Sequence, residues 1–177
     1  WGKAIFNQNA SPRLTHVTAN ASGGGTYKFG ISNEFSSPEL TNVTISTSGG
    51  ITNYGVYNEN NSRPTMTNVT TSVSGTSTNY GMFNRDSSPT MINVTISASG
   101  GTVNFGIYID SSTGTHAVLL NNSKVTASNR TIYHDSGHIH IVASQLSGGA
   151  IQAGVGSISC IGVYDENFAS PGYNVCP

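Results

Sequence analysis

The sequence predicts an all-β solenoid, a chain wound into about six stacked coils. Three observations predict it. First, the chain repeats itself. Glycine recurs at Gly30, Gly55, Gly81 and Gly106, proline at Pro12, Pro38, Pro64 and Pro89, and valine at Val17, Val43, Val69 and Val94, with steps of 25–26 residues. Second, apolar positions never recur at helical spacing, good helix formers are scarce, and Thr, Val, Ile and Tyr are common. Third, turn chemistry separates short strand-like runs at fixed phase.

One unit shows the expected elements in order. The run Tyr54-Gly-Val-Tyr-Asn58 reads as a strand. A Ser-Ser-Pro type of turn follows, with Pro64 at its close. A second strand-like run, Met-x-Asn-Val-Thr-Ile-Ser, begins at Met91 in the fourth unit. Asn42 is expected at a corner within this run, because Leu40 and Val43 are both apolar yet three apart. A third extended piece would then lie in the Ser-Gly-Gly segment. About 25 residues are too few for a βαβ crossover with its helix, but they suit one coil stacked on the last at ~4.8 Å. Six such coils make a rod on the order of 29 Å long. After Gly106 the match weakens, with Thr131 holding the glycine phase, and residues 151–177 break the repeat. The chain therefore divides into a repeat domain, 1–150, and a C-terminal capping segment, 151–177.

Stacking like on like supplies the core. The valine column is one expected internal stack, and Leu14, Leu40, Met66 and Met91 are another. Phe29, Tyr54, Tyr80 and Phe105 are expected as a third, beside Ile31, Val56, Met82, Ile107 and Ile132. Stacks of this kind bury apolar area continuously, at ~25 cal/mol per Å². Two asparagine columns, Asn33/Asn58/Asn84 and Asn42/Asn68/Asn93, can link amides between coils, and Asn tolerates the left-handed backbone a corner needs.

Composition narrows the function classes. Only 8% of residues are charged and the net charge is -1, so no basic footprint for nucleic acid exists. Ser, Thr, Asn and Gly supply 85 of the 177 residues. No stretch approaches the ~20 apolar residues of a membrane span. No charged-then-apolar leader opens the chain, and Trp1 reads as the start of a processed or excised segment.

The motifs Tyr-Gly-Val-Tyr-Asn, Ser-Ser-Pro-Thr-Met and Thr-Asn-Val-Thr resemble those of uncharacterised bacterial β-helix repeat proteins. Through them the chain resembles the right-handed parallel β-helix superfamily, the pectate-lyase-like solenoids. The resemblance covers nearly the whole chain and implies the right-handed winding. It says little of activity, because this fold hosts lyases, hydrolases, adhesins and phage tailspikes. The end of the chain, Cys160-Ile-Gly-Val-Tyr-Asp-Glu-Asn-Phe168 with Cys176, resembles the terminal segment of many such proteins. A Cys160–Cys176 disulfide would suit an oxidising compartment and contribute ~3 kcal/mol in the chain-entropy account. Two reduced thiols are the alternative. With the disulfide, the segment would cover the last coil, whereas the front, Trp1-Gly-Lys-Ala-Ile-Phe6, enters the first coil with no cap. That end is a place for end-to-end or fibre assembly.

The few chemistry-bearing residues can be weighed one by one. Glu34, Glu59, Arg85, Asp110 and Asp135 share a column. Glu59 and Asp110 would lie on the order of 10 Å apart, a span that suits an inverting carboxylate pair. Arg85 between them would hold both ionised, so no catalytic residue is assigned. His138 and His140 share a strand face, with His116 about one coil earlier, but no carboxylate completes a metal site, and no cofactor is expected. No Ser-His-Asp set is recognisable. Phe6, Tyr57, Phe83, Tyr108 and Tyr133 share one phase, with Ser32 the exception. If Val56 faces inward, strict alternation turns Tyr57 outward, and the column becomes a platform for a polysaccharide or another protein. A bend that turned the rings into the core is the alternative. Thr44 with Ser46, Thr70 with Ser72 and Thr95 with Ser97 form a hydroxyl array resembling ice-binding surfaces. The triplets at Asn20, Asn42, Asn68, Asn93 and Asn129 match glycosylation acceptors, three of them at the repeated corner.

These readings converge on a non-enzymatic structural or adhesive solenoid module of the cell surface or extracellular space, the C-terminal part of a longer surface or fibre protein. A carbohydrate-binding or carbohydrate-active module, such as a tailspike domain, is the first alternative and an ice-binding solenoid the second.

Overall fold

A computed structural model describes residues 1–167 and Cys176. Among them every regular element is a β-strand, and every strand pair is parallel. The first coil holds β1 (Gly2–Gln8), β2 (Arg13–Thr15) and β3 (Thr18–Ala21), and the second β4 (Tyr27–Glu34), β5 (Glu39–Thr41) and β6 (Thr44–Ser48). The third holds β7 (Thr52–Glu59), β8 (Thr65–Thr67) and β9 (Thr70–Ser74), and the fourth β10 (Thr78–Arg85), β11 (Thr90–Ile92) and β12 (Thr95–Ser99). Beyond β13 (Val103–Asp110) and β14 (Ala117–Asn121), two long strands carry the winding, β15 (Lys124–Val142) and β16 (Gln145–Ile161). β15 pairs in turn with β12, β13 and β14, so one continuous strand turns two corners. The molecule is a parallel β-solenoid of about six turns with three parallel sheets.

Each strand of a coil pairs with its equivalent in the next, which is why sequence columns become physical stacks. Ile31, Val56, Met82, Ile107 and Ile132 lie in register and are fully buried. So do Leu40, Met66, Met91, Leu120, Ile141 and Cys160. The valine column joins the same core, with Val17 partly buried at its start.

The corner after β2, β5, β8 and β11 is a left-handed residue each time. His16, Asn42, Asn68 and Asn93 all have φ of 54°, and the corner recurs at Asn122 and Ala143. Asn is favoured there because its short polar side chain tolerates that backbone. The corner splits the Met-x-Asn-Val-Thr-Ile-Ser run into two strands, β11 and β12 in the fourth coil. The third strand of a coil therefore begins at the Thr of Val-Thr-Ile-Ser, and Ser-Gly-Gly is the turn after it, with Gly49 and Gly100 at positive φ.

The glycine column breaks strict alternation along the first sheet. A Cβ on Gly55 would lie 2.2 Å from Thr71 Cγ2 and 2.5 Å from the Gly81 carbonyl oxygen, so this position faces the core. Val56, its neighbour, is also in the core. Two successive inward residues shift the phase, as in a β-bulge. The residues either side of the pair, Tyr54 and Tyr57, then share one face, with ring centroids 5.2 Å apart. The column expected as an internal stack, Phe29/Tyr54/Tyr80/Phe105, lies instead on the outer face of the sheet.

Two buried amide ladders run along the coils. Asn7, Asn33 and Asn58 each donate Nδ2 to the Oδ1 of the next asparagine, ending at Asn84, at 2.7–2.9 Å. Asn53, Asn79, Asn104 and Asn129 form the second, at 2.8–3.1 Å. The first ladder ends at Asn84, whose Nδ2 has no partner because Ile109 occupies the next rung.

The winding does not stop at residue 150. β16 crosses that boundary and pairs with β15 as far as Val142↔Ile161, and Gln145 bridges to Tyr164. Cys160 is fully buried and forms a disulfide with Cys176, which packs on the core. Phe168, within the motif of the chain end, lies outside the described residues. At the front, β1, β2 and β3 each pair on one side. No helix among the described residues is long and apolar enough to cross a membrane.

Candidate functional site

The phase shift at the glycine column builds a double aromatic ladder on the outer face of the first sheet. In one column Phe29, Tyr54, Tyr80 and Phe105 stack at 4.8, 4.9 and 5.0 Å between centroids, with planes within 6°. In the other, Tyr57, Phe83 and Tyr108 stack at 5.2 and 4.9 Å with 7° between planes, and Tyr133 follows at 4.8 Å. Within each coil the two columns meet edge to face, as Tyr80 and Phe83 do at 5.3 Å and 85°. Both arrangements are favourable for aromatic quadrupoles. Arg130 closes one end, its guanidinium 5.6 Å from the Phe105 centroid and 5.3 Å from that of Tyr133.

This ladder contains four of the five aromatic residues singled out in the sequence: Tyr57, Phe83, Tyr108 and Tyr133. The rings do not turn into the core, although Phe83 is buried by its neighbours. Phe6 stands apart. Its partner in register is Ser32, so no ring links it to Tyr57, and the Lys3 ammonium covers it at 3.6 Å. The companion column, Phe29 to Phe105, was missed as a surface feature, because period-2 reading cannot see a double inward step. A further correction concerns ring geometry. The planes face along the rod, so each ring's faces are covered by the rungs beside it, and the outside receives ring edges and phenol hydroxyls.

Burial in the ladder disfavours phenolate. Burial first, then Tyr80 beside it, pushes Tyr54 up to about 12. Burial, then Tyr133, does the same to Tyr108, also to about 12. Burial and the hydrogen bond donated to Glu59 raise Tyr57 as well.

The charged column borders the ladder. Arg85 engages Asp110 at 3.3 Å, while Glu59 accepts the Tyr57 hydroxyl at 2.9 Å. Gln8 donates to Glu34 at 3.0 Å.

The other candidates lie elsewhere on the rod. His138 bonds Ser157, and His140 is exposed on the same strand. His116 is not in their row, because Ala117, not His116, pairs with His138. No group of three or more metal-binding side chains occurs among the described residues. The fold does bring Asp86, Ser111 and His116 together. However, His116 Nδ1 faces both Ser111 Oγ at 3.1 Å and Asp86 Oδ1 at 3.8 Å, while Nε2 meets Asn61 at 3.0 Å. A relay needs serine and aspartate on opposite ring nitrogens, so this cluster is a clasp for the corner at 111–116. Asn42, Asn68 and Asn93 are exposed, but Asn68 and Asn93 each spend Nδ2 on the preceding Asn in the column. Thr44, Thr70 and Thr95 lie in register and exposed on the third sheet, with Ser46, Ser72 and Ser97 two residues on.

Comparison of the chain with family models, curated proteins and solved structures finds no match. The class the fold defines is thus the parallel β-solenoid. Along one of its outer faces runs the paired aromatic column.

Proposed function

We propose that the protein is a non-enzymatic extracellular rod that holds an adhesive face, forming part of a longer surface or fibre protein. The observation that carries the reading is the double aromatic ladder. It places a strip of ring edges and phenol hydroxyls on a support whose strands stay in register from one coil to the next. The phenylalanines of the strip are buried by their neighbours and its tyrosines are half-buried, so a partner would meet it through ring edges and hydroxyls. The low charge and the coil-to-coil strand pairing favour stiffness over chemistry, and the disulfide favours an oxidising compartment. Assembly through the edge strands β1, β2 and β3 belongs to the same reading.

The test is retention of polysaccharide particles or cells on beads carrying the chain, under flow, with reducing-end release measured in parallel. Retention without release is expected, and Tyr80→Ser with Tyr108→Ser should weaken it. Steady release of reducing ends overturns the reading. The in-register Thr44/Thr70/Thr95 array supports ice binding as a second reading, and inhibition of ice recrystallisation is its measurement.

A further inference from the structure

The ladder is incomplete in the first two coils, where Lys3 stands in register with Phe29 and Ser32 with Tyr57. There Trp1, Tyr27, Phe29, Tyr57, Lys3 and Glu59 line an open hollow of about 300 Å³. We infer that this hollow is a binding site for a neutral pyranose ring of an oligosaccharide, an inference that rests on the adhesive reading and gives it a ligand class.

Three features set the hollow apart. The first is ring presentation. In mid-ladder the faces are covered by neighbouring rungs, but here Ser32 stands where the column would place a ring beside Tyr57. Phe29 meets Tyr57 edge to face, at 5.4 Å and 83°. Trp1 is 83% exposed and touches Tyr27 at 5.3 Å and 67°. The rings thus enclose a space at several angles, as a cradle for C–H faces requires.

The second is charge. Glu59 is fixed by the Tyr57 hydroxyl at 2.9 Å, and Lys3 lies across the hollow with its ammonium 3.6 Å from the Phe6 ring centre. One acid and one base among aromatic walls discriminate between ligand classes. A quaternary ammonium would gain from the rings but meet Lys3. A uronate would meet Glu59. A neutral polyol ring lays its apolar face on the aromatics, offers hydroxyl protons to Glu59 and accepts from Lys3.

The third is size. A small-ligand cleft of a few hundred Å³ holds one or two sugar rings.

The chain has one tryptophan, so its fluorescence reads this hollow directly. The full chain is titrated with neutral hexasaccharides of glucose, mannose, xylose and N-acetylglucosamine, and separately with choline chloride and an oligogalacturonate. A saturable change with at least one neutral sugar is expected, weakened about tenfold in Glu59→Gln and in Tyr27→Ala, with Tyr108→Ala unchanged. Melting curves confirm that each variant is folded, and Glu59→Gln keeps the shape of the hollow if Tyr27→Ala does not fold. No response to any neutral sugar overturns the inference. So does tighter binding of choline or the uronate, or an equal loss in Tyr108→Ala. Bead retention that persists without a tryptophan response sinks the sugar site and leaves the adhesive rod standing. A tryptophan response without retention does the reverse.

Discussion

The second to fourth coils and the coils from β13 onward wind the same way but are held by different means. In the former, coil length hardly varies: Thr44, Thr70 and Thr95 stack in register. The first amide ladder and the Phe29–Phe105 column run through them without a gap, and the second ladder and the Tyr57 column start in the third coil, after Lys28 and Ser32. In the latter, Lys124 pairs with Thr95 after 29 residues and Gln145 pairs with Lys124 after only 21. The register slips around Arg130, Ile109 and His134 replace the asparagines, and both ring nitrogens of the buried His134 lack partners. Here the staple is covalent, from buried Cys160 to Cys176. Repetition can substitute for a cross-link, and where repetition lapses the cross-link takes over.

The largest expected effect lies in the glycine column. Gly55→Ala drives a Cβ into Thr71 and into the Gly81 carbonyl oxygen, and backbone cannot yield there as a flexible side chain can. A loss of about 3 kcal/mol or more is expected in chemical denaturation. Thr131 occupies the same phase in the irregular region at no such cost. The ladder with β16 skips it, pairing Arg130 with Ala150 and Ile132 with Ile151, and its hydroxyl donates to the carbonyls of Ser147 and Gly149. A Gly55→Ala melting curve matching the parent would break the comparison.

Reduction of the disulfide, or Cys160→Ser with Cys176→Ser, should cost ~3 kcal/mol in the chain-entropy account. The damage should be regional. Hydrogen exchange is expected to rise in β16 first and in β7 and β10 last. Uniform loss of protection would mean that the two regions are one cooperative unit.

Asn58→Ala leaves two buried partners unpaired, Asn33 Nδ2 and Asn84 Oδ1, and should cost about 2–3 kcal/mol. Asn84→Ala leaves one, because its own Nδ2 already lacks a partner, so its cost should be smaller. Equal melting temperatures for the two variants would argue against a chain of amides acting together.

The smallest effect is in alkali. Tyr54 and Tyr108 titrate near 12 in the fold, against about 10 when unfolded. The folded state therefore holds protons that the unfolded state releases. The contribution is complete below pH 10 and is lost as pH climbs through 12. Tm should fall over that window, and Tyr54→Phe with Tyr108→Phe should flatten the decline.

Most of the architecture was legible because stacking writes itself into the sequence. The valine, leucine–methionine and proline columns, and the corner at Asn42, needed only spacing and the apolar pair around it. Two things were not legible. The doubled inward step at Gly55 and Val56 leaves the residue types unchanged while reversing the side on which Phe29 and Tyr54 lie. The buried ladder from Asn53 to Asn129 was hidden because Asn beside a Ser-Gly-Gly segment reads equally well as turn chemistry. The signal was present in the recurring Asn-Tyr-Gly and Asn-Phe-Gly triplets, at Asn53, Asn79 and Asn104. The aromatic column was visible in part, but the orientation of its rings depends on packing between coils, which composition does not carry.

Like-on-like pairing makes the rod's length a modular quantity. Excising residues 54–79 would join Asn53 to Tyr80 and restore an Asn-Tyr-Gly junction, with Leu40 then stacking on Met91 as it now stacks on Met66. Duplication of the same stretch would lengthen it by one rise of ~4.8 Å. Reach can thus change by whole units through simple genetic slippage, without redesign of the interior.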